Sequence, residues 1–395
     1  MREKAVWLIA GGPMQVRCAD YVRSLGYKLI ITDGDANCSC AILADYFVAI
    51  DTFDIDGHLF LANKLSGLYE IVAVVTVAAD CHYTVASLCE HLELPGVSTV
   101  LSLRCRLKHK TRALLTEAQI LQPNYFVTSS ILEARDHLRQ ISRTCVIKAT
   151  DSSGSRGFAM LASPDDLSED LFSGAVTAGT TGSVIIEECL VPRIDCVSEL
   201  SVETLWSEGR MYWLNWVDRL FSTDIRLFPE LSSFYNSSIS KGVELGHINP
   251  ASHDIELKHQ LDELIYRAGL AIGMGSERYV TFLKADIMLT GGGPVILELT
   301  PRLSGGWDSS ASTPTRGADF QYGAVQLALG HPLDLEMWMK YFDFKDASLY
   351  SVVTAEIPDG ASSCLGRKFA LGSDYSRMLA MKKSLTNLKE RKYVL

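Results

Sequence analysis

Residues 284–302, KADIMLTGGGPVILELTPR, set two carboxylates and a guanidinium on apolar segments around a glycine turn. The flanking segments read as the strands of a β-hairpin closed by Thr290-Gly291-Gly292-Gly293. With the turn centred near Gly292, Asp286 lies directly opposite Glu298. Cross-strand Cβ atoms sit ~4.5–5.5 Å apart, so facing carboxylates repel unless a cation lies between them. Alternation carries Thr300 and Arg302 to the same face as Glu298. Two hard oxygen ligands, a hydroxyl and a guanidinium suit Mg²⁺ bound to phosphates. The plain alternative is a solvent-facing hairpin with incidental charges.

Two further segments carry chemistry only in company. VIKATDSSGSRGFAML (146–161) delivers Lys148 on a strand and continues into a loop of small residues that includes Ser153, Gly154 and Ser155. Such a loop lets backbone N–H groups approach phosphate oxygens, and the lysine adds a point charge. It is not a P-loop, because GxxxxGK[ST] is absent. VIIEECLVPRIDCVSELSVE (184–203) ends a buried strand at Glu187-Glu188 and runs into a connection. Its backbone suits an adenine edge and its carboxylates suit ribose hydroxyls; an exposed acidic strand end is the bland alternative.

These groups need elements to hold them. Residues 5–10, 28–33, 46–51 and 71–78 are apolar strand-like runs separated by helical spacing at 14–25, 56–67 and 82–93. Continuous apolar strands with helical crossovers predict a parallel α/β sheet over residues 1–105. Such sheets bind ligands beyond their strands' carboxyl ends, near Gly11-Gly12, Asp33 and Asp80. A polar helix over about 106–118 and Pro123 open the next unit, 106–197, with a lid-like part over about 125–190. From 198 to 340 long strands predominate, with helices near 254–271 and 316–330, which predicts an α+β antiparallel sheet. Residues 341–395 form an extension with a strand near 349–357 and a basic tail.

The net charge of −10 excludes a general nucleic-acid backbone binder. No apolar run reaches the ~18 residues needed to span a bilayer, and the first segment reads as a strand, not a signal peptide. The ten cysteines form no CxxC and the nine histidines no HExxH, so zinc chemistry is not expected. A cytoplasmic protein is expected.

The three motifs, in this order and with these separations, resemble the ATP-grasp superfamily along nearly the whole chain. DGDANCSCAILADYFVAIDTFD and VTVAADCHYTVASLCEHLELPG are similar to its pre-ATP-grasp domain, and LKHKTRALLTEAQILQP to the helix before its lid. The resemblance implies phosphate contacts from Lys108 and Lys148, with Arg112 at a second basic position and residues 152–157 as the lid loop. Glu187, Glu188 and Leu190 fall at the adenine edge and Glu199 at the ribose carboxylate, although VPRIDCVS is about three residues longer than the family pattern. Asp286 and Glu298 match the metal carboxylates, Thr300 stands where the family has an asparagine ligand, and Arg302 matches the arginine that stabilises the transferred group.

Membership implies ATP and Mg²⁺, with Mn²⁺ as a substitute, and an ADP-forming ligase that activates a small carboxylate as an acyl phosphate for attack by an amine. Small-molecule substrates are expected, and a homodimer is compatible with the pattern. The alternatives are a bicarbonate-activating, carbamoyl-phosphate-like enzyme, although no biotin-type MKM segment is present, and a non-catalytic ATP-binding protein. RLSGGWDSSAS (302–312) is the expected acceptor segment: Trp307 and Asp308 line a pocket, or Asp308 caps the next helix. Asp80 is expected to cap the helix after it, and His247 to be structural.

Overall fold

The computed structural model describes residues 2–334 except 142, 153–155, 228–243, 245, 252, 306, 307 and 316–318, and beyond them residues 338, 351–356 and 368–369. β1 (Glu3–Ile9), β2 (Lys28–Asp33), β3 (Tyr46–Ala49) and β4 (Tyr69–Val75) form a sheet of order β3-β2-β1-β4, and its pairings are all parallel. Helix α1 (Val16–Ser24) connects β1 to β2 and α2 (Ile55–Leu65) connects β3 to β4, while α3 (His82–His91) follows β4. Val6, Trp7, Leu8 and Ile9 are all buried, because helices cover both faces of a parallel sheet. Trp7 and Ile30 pack with Leu65 and Leu88 on one side, while Leu8 and Ile31 pack with Val22 and, from far along the chain, Phe320 on the other.

The helix expected over about 106–118 is α5 (Lys108–Glu117), and a further helix, α4 (Thr99–Arg106), precedes it. They part at Leu107, whose backbone is extended (φ −90°, ψ 98°). The break sets Lys108 at the first turn of α5, where its N–H donates to Thr150 O at 2.8 Å. Next come β5 (Tyr125–Thr128), α6 (Ile131–Ile141), β6 (Cys145–Ala149), β7 (Ala159–Leu161), α7 (Glu169–Thr177) and β8 (Val184–Glu188). Their strands form an antiparallel sheet of order β5-β8-β6-β7.

The largest sheet has the order β13-β12-β9-β10-β11-β14-β15 and is antiparallel throughout. Its strands are β9 (Glu199–Ser207), β10 (Arg210–Leu220), β11 (Gly246–Asn249), β12 (Thr281–Thr290), β13 (Gly293–Thr300), β14 (Ser351–Glu356) and β15 (Lys368–Phe369). Period-two alternation divides it into two unlike faces. Leu200, Val202, Leu283, Ala285, Ile287 and Leu299 point to one side and pack against Leu261, Ile265, Ala268 and Ile272 of α8 (Ile255–Ile272). The Asp254 side chain caps α8 by accepting from Leu257 N, and Gly273, at φ 112°, ends it in the left-handed conformation that glycine adopts without strain. Register places Ser201, Glu203, Asn215, Arg219, Lys284, Asp286, Glu298 and Thr300 on the other face. That face holds the candidate site.

The helix expected over 316–330 spans Phe320–Ala328, and residues 316–318 lie outside the described residues. The strand expected near 349–357 is β14, whereas the basic tail lies largely outside the described residues. Among the described residues no helix is long and apolar enough to cross a membrane.

Candidate active site

Asp286 and Glu298 are Cα partners across β12 and β13, but the turn is not where the sequence places it. Thr290 pairs with Gly293, so Gly291 and Gly292 form a two-residue turn whose centre falls before Gly292. Continued without interruption, that register would set Asp286 against Leu297. It shifts between Asp286 and Ile287, leaving Leu297 as an extra residue, a β-bulge that moves Glu298 opposite Asp286. Leu297 and Glu298 both line the adjoining cleft, of about 480 Å³, as does Asp286.

Lys108, Lys148 and Glu199 line the same cleft, with the Glu187–Leu190 strand end on its wall. Lys108 Nζ lies 3.2 Å from Glu298 Oε1 and donates to Ser152 O at 2.5 Å. Lys148 Nζ donates to Glu187 Oε2 at 2.6 Å. Glu187 is buried, and burial alone would raise its carboxyl; Lys148 and Arg112 outweigh that and hold it at about 2. Glu188 is held by Asn124 at 2.9 Å and by Arg143. Arg112 is not in the cleft. It is buried, with Nε on Glu187 at 2.7 Å and its terminal nitrogens on the carbonyls of Ile296 and Leu297 at 2.8 and 3.0 Å. Of the expected lid loop, Ser153, Gly154 and Ser155 lie outside the described residues; Ser152 and Arg156, on either side of them, line the cleft.

Two cations that sequence reasoning passed over meet at Asp286. Lys284 Nζ donates to Asp286 Oδ2 at 2.5 Å, and Arg219 Nη1 lies 3.3 Å from the same oxygen. Burial would raise the Asp286 carboxyl, but Lys284 and Arg219 bring it below the usual carboxylate range. Arg219 also pairs with Glu244 at 2.9 Å and Glu199 at 3.8 Å. Burial pushes Glu199 up to about 7, with Arg219 opposing and Asp286 and Glu244 adding to the rise. The signal for Lys284 was present: alternation puts it on the face of Asp286. Nothing local marked Arg219. Thr300 is buried on the same face but is the cross-strand partner of Lys284, not of Asp286.

Deeper on that face lies a buried polar cluster. Glu203 is the Cα partner of both Lys284 and Asn215. Asn215 Nδ2 lies 3.2 Å from Glu203 Oε2 and 3.4 Å from Asp308 Oδ1. Ser304 N donates to Glu203 Oε1 at 2.6 Å, and Asn249 Nδ2 to Asp308 Oδ1 at 3.2 Å. Burial raises both carboxyl groups; the charge of Asp308 adds to the rise of Glu203, and that of Glu244 to the rise of Asp308. Asp308 opens a single π-helical turn, Asp308–Ser312, that the sequence did not foretell; Trp307 lies outside the described residues. His247 is buried with Nε2 at 2.8 Å from Ser312 Oγ, and burial depresses its pKa to about 4, so the ring is neutral.

Asp80 does not cap α3, whose N-cap is Cys81 without a side-chain bond. It binds Arg302 instead, Oδ1 accepting from Nε at 3.0 Å and from Nη2, while Nη1 donates to Leu303 O at 2.7 Å. The loop at the carboxyl end of β4 thus reaches the end of the β12–β13 hairpin. Among the described residues no three His, Cys, Asp or Glu side chains converge as a metal site. Asp286 and Glu298, the pair expected to hold a metal, thus stand as two facing carboxylates without a third such side chain among the described residues.

A parallel sheet followed by a small and a large antiparallel sheet, the last two walling one cleft, make the ATP-grasp fold. The chain is similar to the L-amino acid ligase from Bacillus licheniformis, with a TM-score of 0.69 and 18% identity over 91% of this chain and 82% of that one. It is also similar to purK, N5-carboxyaminoimidazole ribonucleotide synthetase, in its ADP complex, with a TM-score of 0.64 and 16% identity over 99% and 98% of the two chains. The biotin carboxylase domain of Hydrogenobacter thermophilus 2-oxoglutarate carboxylase, in complex with MgADP and bicarbonate, gives a TM-score of 0.65 and 14% identity over 94% and 84%. No protein-family model matches the chain. The uncharacterized protein y4rH of Sinorhizobium fredii is 21% identical over 289 residues, 72% of this chain and 55% of that protein, so the chain spans about half the length of the curated relative it matches.

Proposed function

We propose that this chain is an ATP-dependent ligase that activates a small carboxylate as an acyl phosphate and joins it to an amine. The observation that carries the reading is the Asp286–Glu298 pair facing across the hairpin, on the wall of a cleft that also holds Lys108 and Lys148. The residues fit Mg²⁺–ATP. Asp286 Oδ1 and Ser152 Oγ are buried polar atoms without a hydrogen-bond partner among the described residues, and both residues line the cleft. A buried lone pair on a carboxylate is costly unless a ligand or ion satisfies it.

Asp286 and Glu298 would hold Mg²⁺, which when bound neutralises phosphate charge, and Mn²⁺ suits the same oxygens. Lys108 and Lys148 take the phosphates as point charges. The strand end from Glu187 to Leu190 offers backbone groups to the adenine edge, and Glu199 a carboxylate to the ribose. A substrate carboxylate attacks the γ-phosphorus, breaking its bond to the bridging oxygen and releasing ADP; an amine then displaces phosphate from the acyl carbon. Phosphoryl transfer needs position and charge neutralisation, which lysines, Arg302 and two carboxylates supply without covalent help. Residues 152–157 serve as the lid that keeps water from the acyl phosphate. Polar groups around Asp308 and Glu203 face the acceptor side.

Purified protein with ATP, Mg²⁺ and pairs of small carboxylates and amines should release ADP and phosphate, and hydroxylamine should trap a hydroxamate. Full turnover in the Glu298→Gln variant would sink the metal assignment.

A further inference from the structure

Asp286 is already neutralised by the protein's own cations. The closest is Lys284 Nζ, at 2.5 Å on Oδ2. Arg219 Nη1, at 3.3 Å, is tied at the same time to Glu199 and Glu244. Lys284 is buried, and its ion pair is with Asp286. Its strand neighbours on the same face are Thr300 on β13 and Glu203 on β9. Its charge also reaches the buried Glu203 and Asp308. A single flexible ammonium thus stands between the carboxylate of the metal site and a second pair of carboxylates.

We propose that Lys284 is a built-in counter-ion that holds Asp286 against a free divalent cation and yields it when the metal arrives on a triphosphate. The inference rests on the Mg²⁺–ATP reading above. A free dication entering beside Asp286 meets a buried ammonium at close range, where low dielectric makes like charges repel strongly. A triphosphate brings several negative charges into the cleft and cancels that repulsion. The released ammonium has a partner within reach, because lysine turns on a four-carbon stem and Glu203 is its cross-strand neighbour. Arg219 cannot take this part, since Glu244 and Glu199 hold it from the other side. The metal then enters with the nucleotide and not ahead of it, and its arrival moves the Lys284 charge toward the Glu203–Asp308 pair.

The test is Mn²⁺ affinity, read by electron paramagnetic resonance or calorimetry on the full chain, alone and with a non-hydrolysable ATP analogue. Wild type should bind Mn²⁺ weakly alone and tightly with the analogue. Lys284→Met should tighten binding of Mn²⁺ alone by about tenfold or more, with a smaller change when the analogue is present. Lys284→Arg, which keeps the charge, should behave as wild type. If the methionine variant fails to fold, Lys284→Gln carries the same expectation. No gain for the neutral variants, or an equal gain with and without analogue, overturns the inference while leaving the Mg²⁺–ATP reading intact. Absence of Mn²⁺ binding to wild type even with the analogue overturns both.

Discussion

Arg112 and Glu187 form a buried ion pair, Nε to Oε1 at 2.7 Å, that joins α5 to the end of β8, and the other two nitrogens of Arg112 clamp the bulge at Ile296 and Leu297. One guanidinium thereby fixes both the wall of the cleft and the irregularity that sets Glu298 opposite Asp286. Removing one partner of a buried pair leaves the other charge uncompensated. Arg112→Met should therefore lower stability by about 3–5 kcal/mol, read from the urea midpoint. A change within experimental error would show that the clamp is dispensable.

Glu187 makes that stability depend on pH. Its carboxyl is held at about 2, against ~4.3 in an unfolded chain, so it favours the folded state above the unfolded value. The contribution fades as pH falls from ~4.3 toward the folded value. The stability gap between wild type and Glu187→Gln should be full at pH 6 and shrink steadily in acid. A gap that stays constant from pH 6 to 3 would contradict the pairing.

The Glu203–Asp308 pair has the opposite sign. Burial raises both carboxyls, with Asp308 adding to the rise of Glu203 and Glu244 to that of Asp308, so the folded protein holds protons that the unfolded chain has lost above ~4.3. Stability from this pair therefore declines as pH rises above that value. Glu203→Gln removes one charge and should raise the melting temperature more at pH 8 than at pH 5. Equal effects at both values would show that burial does not raise the Glu203 carboxyl in the folded state.

Asp80 acts through Arg302. The aspartate aims the guanidinium from the neighbouring domain, so under the proposed mechanism Asp80→Asn should lower kcat by about 10–100-fold, the usual cost of losing such a support, with KM for ATP little changed. Asp80→Glu should restore part of the loss. A raised KM for ATP with unchanged kcat would instead place Arg302 on the nucleotide.

Much of the framework follows from local pattern alone. Apolar runs at 5–10 and within 28–33, alternating with helical spacing, point to strands buried on both faces, and period-two alternation in 284–302 put Lys284, Asp286, Glu298 and Thr300 on one side of a hairpin. Alternation specifies a face, because each strand residue points opposite to its neighbour whatever surrounds it. It does not specify register or partners. The half-residue mismatch between the glycine turn and the carboxylate pair is made up by a bulge at Leu297, and the carbonyls there are held by Arg112, which is more than 180 residues away in sequence. Likewise Arg219 reaches Asp286, Asp80 reaches Arg302, and Asn215 gathers Glu203 and Asp308 only after three strands and a π-turn have met. Residue types and faces are properties of the local chain. Which charges neutralise one another depends on distances of a few ångströms between segments far apart in sequence, and only the folded sheet sets those.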